Sequence, residues 1–172
     1  LYSDGFNFSL VAYSDDAGNQ WSIGEPIVGY GNVQPSLTQK KDGSIVALMR
    51  DNGDLPSRVL QSISADDGEH WSAVDDLKIP NPGSSLHTLA LPNGEWLMVN
   101  NNLEKGRNEL HLNHSKDEGK TWRTIMEIEK SDNPEDSFSY PTLISSKNDE
   151  IHLSYSLRKQ TKKTIVHVVI QL

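Results

Sequence analysis

The pattern Ser-x-Asp-x-Gly-x-x-Trp occurs three times in this 172-residue chain, as Ser14, Asp16, Gly18 and Trp21, as Ser64, Asp66, Gly68 and Trp71, and as Ser115, Asp117, Gly119 and Trp122. The copies start at 14, 64 and 115, so they recur after 50 and then 51 residues. A fixed period of that size is the mark of a repeat architecture, in which no unit buries its apolar faces alone and each must stack on its neighbours. Four fixed positions recurring in register three times leave no room for chance.

A second element keeps step with the first. Lys41-Asp42-Gly43-Ser44, Pro92-Asn93-Gly94-Glu95 and Lys147-Asn148-Asp149-Glu150 each separate two apolar runs. Asp-Gly and Asn-Gly suit a two-residue hairpin in which both central residues take positive φ. The flanks are β-branched or alternating, as in Ser44–Met49, Glu95–Val99 and Ile151–Tyr155. A third strand is expected before each box, at Phe8–Tyr13, Val59–Ile63 and Leu110–Asn113, with Thr164–Ile170 in the same place of the last, boxless unit. A short fourth follows near Pro26–Val28, Ala73–Leu77 and Thr124–Ile128. No helical period persists. The fold class is therefore all-β, built of four-stranded antiparallel blades of the propeller kind.

In each box the serine and aspartate oxygens can accept backbone N–H groups within the loop, and the glycine supplies positive φ. The tryptophan is expected to return into the sheet and bury a large apolar area, so the box reads as a staple rather than as chemistry. The acidic pairs Asp15-Asp16, Asp66-Asp67 and Asp117-Glu118 lack the alternating oxygen ligands of a hand-type calcium loop. His111 and His114, three apart on a strand, point to opposite faces and share no metal. No metal and no cofactor is expected. The net charge of −8, with no basic block, argues against nucleic acid and against an anionic membrane surface as partner. The absence of cysteine excludes disulfides and thiolate chemistry, and no apolar run reaches the roughly 20 residues of a membrane-spanning helix.

The boxes, with the segments between them, resemble the Asp-box or BNR repeats of the sialidase superfamily. Those segments are Gln34-Pro35-Ser36-Leu37, Ala47-Leu48-Met49-Arg50, Asn81-Pro82-Gly83-Ser84-Ser85, Gly106-Arg107 and Tyr140-Pro141-Thr142-Leu143. The resemblance covers nearly the whole chain and implies a six-bladed propeller of which residues 1–172 form a partial domain, about half the ring. It implies that Arg50 and Arg107 grip a sugar carboxylate, since a guanidinium fork matches a carboxylate bidentately. Tyr140 takes the place of the nucleophile, a role a neutral phenol can fill beside an anionic sugar. Gln34 stands where the family carries the glutamate that activates the tyrosine, and an amide takes no proton.

The repeat offers its own geometry. Aligning Leu37, Leu89 and Leu143 makes Gln34, Leu86 and Tyr140 equivalent, at the start of the first strand of each unit. In a propeller that strand lines the channel, so these side chains should converge on the axis, with His87 next to them. Arg50, Asn101 and Ser156 are likewise equivalent at the end of the second strand, where Arg50 alone is charged. The run Asp132–Asp136 reads as a solvated loop.

Three functions fit these residues: a sialidase-like exo-glycosidase acting on a terminal acidic sugar, a propeller lyase acting on uronate polymers, and a non-catalytic glycan-binding propeller. In all three the expected partner is a glycan, which favours a secreted or periplasmic setting. The unit count predicts a C-terminal fragment that needs N-terminal blades, or that self-associates through open sheet edges.

Overall fold

The computed structural model describes residues 8–147 and 150–171. It contains thirteen strands and, among the described residues, no helix. The first sheet pairs β1 (Ala12–Tyr13) with β2 (Ser22–Ile23). The second runs in the order β3 (Asn32–Gln39), β4 (Ile45–Asp51), β5 (Arg58–Ser64), β6 (Asp75–Pro80). The third contains β7 (His87–Ala90), β8 (Trp96–Asn100), β9 (Glu109–Ser115) and β10 (Arg123–Lys130). The fourth contains β11 (Ser137–Ser145), β12 (Ile151–Lys159) and β13 (Lys162–Ile170). All neighbours within sheets are antiparallel and sequential, which is the meander expected of blades.

The core lies between the sheets, and the two-residue period of the central strands explains why. On β4, Val46 and Leu48 point into one cluster while Ala47 and Met49 point into another. On β8, Trp96 and Met98 join Val46 and Leu48, whereas Leu97 and Val99 face Phe138, Leu143 and Leu153 of the last sheet. Alternation thus gives each central strand two buried faces, one for each neighbouring sheet.

The three boxes form the same network. Ser14 Oγ accepts from Gly18 N at 2.8 Å and donates to Asp16 Oδ1 at 2.9 Å, and Trp21 Nε1 donates to Gly18 O at 3.1 Å. The second box repeats these bonds at 2.9, 2.9 and 3.1 Å, and the third at 2.9, 2.8 and 2.9 Å. Each loop also places two successive residues in the left-handed region, Ala17-Gly18, Asp67-Gly68 and Glu118-Gly119, so the residue before the glycine shares the strain. Hydrogen bonds to the aspartates, chiefly from the backbone and side chain of His70 for Asp66 and of Thr121 for Asp117, hold both carboxyls down to about 2. The outer position of one box also links units, since Glu118 Oε1 accepts from Lys41 N at 2.8 Å.

Four sequence expectations are corrected. Trp21 is 65% exposed and does not return into a core. Trp71 and Trp122 pack on the clusters shared with the preceding sheet, and among the described residues Trp21 has no preceding sheet to meet. The Asp-Gly and Asn-Gly turns take positive φ only at Gly43 and Gly94. Gly43 N donates to Lys40 O and Lys40 N to Ser44 O, so the loop is a three-residue turn with the glycine at its bulge. The third such turn includes residues 148 and 149, outside the described residues. Pro26–Val28 forms no regular strand; Ser22–Ile23 pairs with β1, and Ile27 meets Ser9 in a single bridge. Finally, Asp136 is buried rather than solvated. Its carboxylate accepts from Ser131 Oγ at 2.6 Å and Gln160 N at 3.4 Å, tying the 131–136 loop to the β12–β13 turn.

Candidate functional site

The first strands of the last three sheets, β3, β7 and β11, border one open cavity of about 420 Å³. Gln34, His87 and Tyr140 all line it, together with Leu86. Its volume falls within the range of small-ligand pockets. Two of the repeat-equivalent residues are held in the same unusual way: Gln34 has φ 55° and Tyr140 φ 54°, each followed by a proline and each inside a register shift of its strand pair. A non-glycine residue in that region costs of order 1 kcal/mol and persists when packing over-determines it. The bulge turns Gln34 and Tyr140 out of the regular pleat, and Tyr140 stands 54% exposed.

Two residues further along the same strands, Ser36, Thr88 and Thr142 bring one hydroxyl-bearing residue per sheet to the cavity lining. Ser36 Oγ and Thr88 Oγ1 lie 2.9 Å apart, and Thr88 N donates to Ser36 Oγ at 2.9 Å. Sequence reasoning passed over these hydroxyls, although they occupy equivalent positions two residues after Gln34, Leu86 and Tyr140.

His87 joins two sheets. Its Nδ1 accepts from Leu143 N at 3.1 Å, and burial pulls its pKa below the ordinary value. With Nδ1 committed as acceptor, the neutral ring carries its proton on Nε2 and presents a donor. The loop before it is fixed by buried amides. Asn81 Nδ2 donates to Asn100 Oδ1 at 2.7 Å, Ser84 Oγ donates to Asn101 Oδ1 at 2.6 Å, and Asn101 Nδ2 reaches Phe138 O at 3.0 Å. Asn101, the counterpart of Arg50, therefore serves as a structural link.

The two arginines do not line this cavity. Both lie at the strand ends opposite the boxes: Arg50 is registered against Val33 beside Gln34, and Arg107 bridges to Ser137 three residues before Tyr140. Arg107 Nη2 donates to Gly83 O at 3.2 Å. Arg50 Nε is buried without a hydrogen-bond partner among the described residues, as is Ser85 Oγ on the cavity wall. Buried donors left unpaired are uncommon in folded proteins. Among the residues lining the cavity there is no carboxylate.

Comparison with known proteins agrees with this architecture. The chain superimposes on a Hadza microbial sialidase with a TM-score of 0.76 at 18% identity, covering 94% of this chain and 31% of the other. For a mutant of the NanB sialidase of Streptococcus pneumoniae the TM-score is 0.72 at 17% identity, covering 94% and 27%. An α-L-arabinofuranosidase of Fusarium graminearum gives 0.64 at 17% identity, covering 81% and 45%. The chain thus spans less than half of each of these proteins, and at such identity the likeness concerns the fold. No curated protein matches the sequence. The BNR repeat-like domain matches residues 5–153, and the chain belongs to that family.

Proposed function

We propose that this chain carries part of the sugar site of a sialidase-like exo-glycosidase acting on a terminal acidic sugar of a glycan. In this reading residues 1–172 are a partial propeller domain, Tyr140 is the nucleophile, and Gln34, His87, Arg50 and Arg107 bind substrate. The observation that carries it is the convergence of Gln34, His87 and Tyr140 on one cavity, with Tyr140 bulged outward and exposed. A phenol there can attack a sugar carbon without the repulsion that a carboxylate would meet from an anionic substrate. Arg50 and Arg107, at the same strand ends, supply forks for the sugar carboxylate. Because the cavity wall carries no carboxylate, the acid/base group comes from elsewhere in the propeller. The 172-residue chain by itself is expected to be inactive or nearly so.

The absence of a carboxylate beside Tyr140 also favours a second reading. A lyase acting on a uronate polymer needs a base and an acid but no glutamate to activate a tyrosine nucleophile, and a neutral His87 with Tyr140 provides such a pair. The deciding experiment is Tyr140→Phe in the full-length protein. Loss of a nucleophile costs several orders of magnitude in turnover. A variant that cleaves a fluorogenic sialoside as fast as its parent refutes the nucleophile assignment. Ultraviolet-absorbing ends released from a uronate polymer select the lyase, and binding without either product selects a lectin.

A further inference from the structure

The β12–β13 hairpin carries an unusual charge arrangement for a chain of net charge −8. Arg158 lies directly across from Lys163, and Lys159 across from Lys162. Like charges at directly opposed positions of an antiparallel pair repel. Lys159 is compensated, with Nζ 3.6 Å from Glu129 Oε2 and 5.1 Å from the centre of the Phe138 ring. Arg158 and Lys163 have no carboxylate within ion-pair distance among the described residues. The hydrogen bond of Arg158 runs from Nη2 to Glu135 O at 3.2 Å, which orients the guanidinium without neutralising it.

These two cations line a cavity of about 390 Å³ together with Ser139, Ser156 and Thr164, and no acidic residue borders it. Ser139 is only 7% exposed and is the cross-strand partner of Ser156. Among the described residues neither hydroxyl makes a hydrogen bond, although both face the cavity. A guanidinium fork, an ammonium and two free hydroxyls therefore meet at one concavity with nothing negative to receive them.

We propose that this cavity is an oxyanion site that holds a carboxylate or sulfate group of an acidic glycan. It is separate from the axial cavity, though Ser139 immediately precedes Tyr140 in β11. The choice of a glycan as carrier rests on the function proposed above, whereas the anion chemistry rests only on the residues named here.

Isothermal titration at low ionic strength tests it, with inorganic sulfate, glucuronate and neutral glucose as probes, on both the 172-residue chain and the full-length protein. A saturable sulfate or glucuronate site, not seen with glucose and lost in the Arg158→Gln/Lys163→Gln double variant, is expected beside any carboxylate binding by Arg50 and Arg107. Charge-assisted hydrogen bonds being the strong ones, Arg158→Gln and Lys163→Gln should each weaken binding by roughly tenfold. Added salt should weaken it further. Lys162→Gln, outside the cavity lining, should change little, and Ser139→Ala should weaken binding without unfolding because its hydroxyl holds no internal partner. Tighter glucuronate points to a sugar carboxylate and tighter sulfate to a sulfate ester. The proposal is overturned if neither anion saturates, if the Arg158→Gln/Lys163→Gln double variant binds as well as the parent, or if the chain binds anions and the full-length protein does not. The last result would mean that a protein carboxylate fills the site. Sialoside turnover of Tyr140→Phe tests the glycosidase reading and sulfate binding of the Arg158→Gln/Lys163→Gln variant tests this one, so the two failures are distinguishable.

Discussion

Removing the box serine hydroxyl should have unequal consequences at three sites whose hydrogen bonds are nearly identical. In every box the serine Oγ accepts the glycine N–H at 2.8 or 2.9 Å. Burial differs: Ser64 and Ser115 are each 1% exposed and Gly68 and Gly119 are buried, whereas Gly18 is exposed. Ser64→Ala or Ser115→Ala strands an N–H that water cannot reach, which costs about 2 kcal/mol. Ser14→Ala leaves an N–H that water satisfies, and the cost stays below about 0.5 kcal/mol. For a chain of this length 2 kcal/mol lowers the melting temperature by roughly 4–8 °C. Calorimetry and urea unfolding of the three single variants measure the difference directly. Equal losses at all three sites, or the largest at Ser14, would refute the argument that burial, not the hydrogen bond itself, sets the magnitude.

The tryptophans make a parallel pair. Trp96→Ala, at 1% exposure between two sheets, should cost about 3–5 kcal/mol, and urea unfolding of Trp21→Ala, at 65% exposure, should show under about 1 kcal/mol. His87 predicts a pH dependence: its folded pKa lies below the ordinary value, so the fold favours the neutral ring. Stability should therefore fall as pH drops below about 6.5, because protonation also takes Nδ1 from Leu143 N–H. A melting profile from pH 8 to 5 should flatten in His87→Asn relative to the parent, and an unchanged slope would assign the effect to another group.

Much of the fold was legible because its determinants are local and repeated. The box needs only eight residues to close its own hydrogen bonds, so its pattern announces the loop wherever it occurs. Register between units then placed Gln34, Leu86 and Tyr140 at equivalent points, and all three line one cavity. The hairpin chemistry was misread because Asp-Gly serves both a two-residue turn and a three-residue turn with a bulge, and the flanking pairing chooses between them.

The sequence alone determined the period, the strand order and the two faces of each strand, since a two-residue alternation and a self-contained loop require no distant partner. Tertiary structure decided what covers each face. It separated Trp71 and Trp122, packed on a preceding sheet, from exposed Trp21. It tied His87 to Leu143, 56 positions away, and buried Asn81, Asn100 and Asn101 as a polar brace behind the cavity. It kept Arg50 and Arg107 off the cavity wall while setting Arg158 and Lys163 against each other beside unpaired hydroxyls. These outcomes depend on which blade stacks on which, and stacking brings together residues whose separation in the chain carries no local signal.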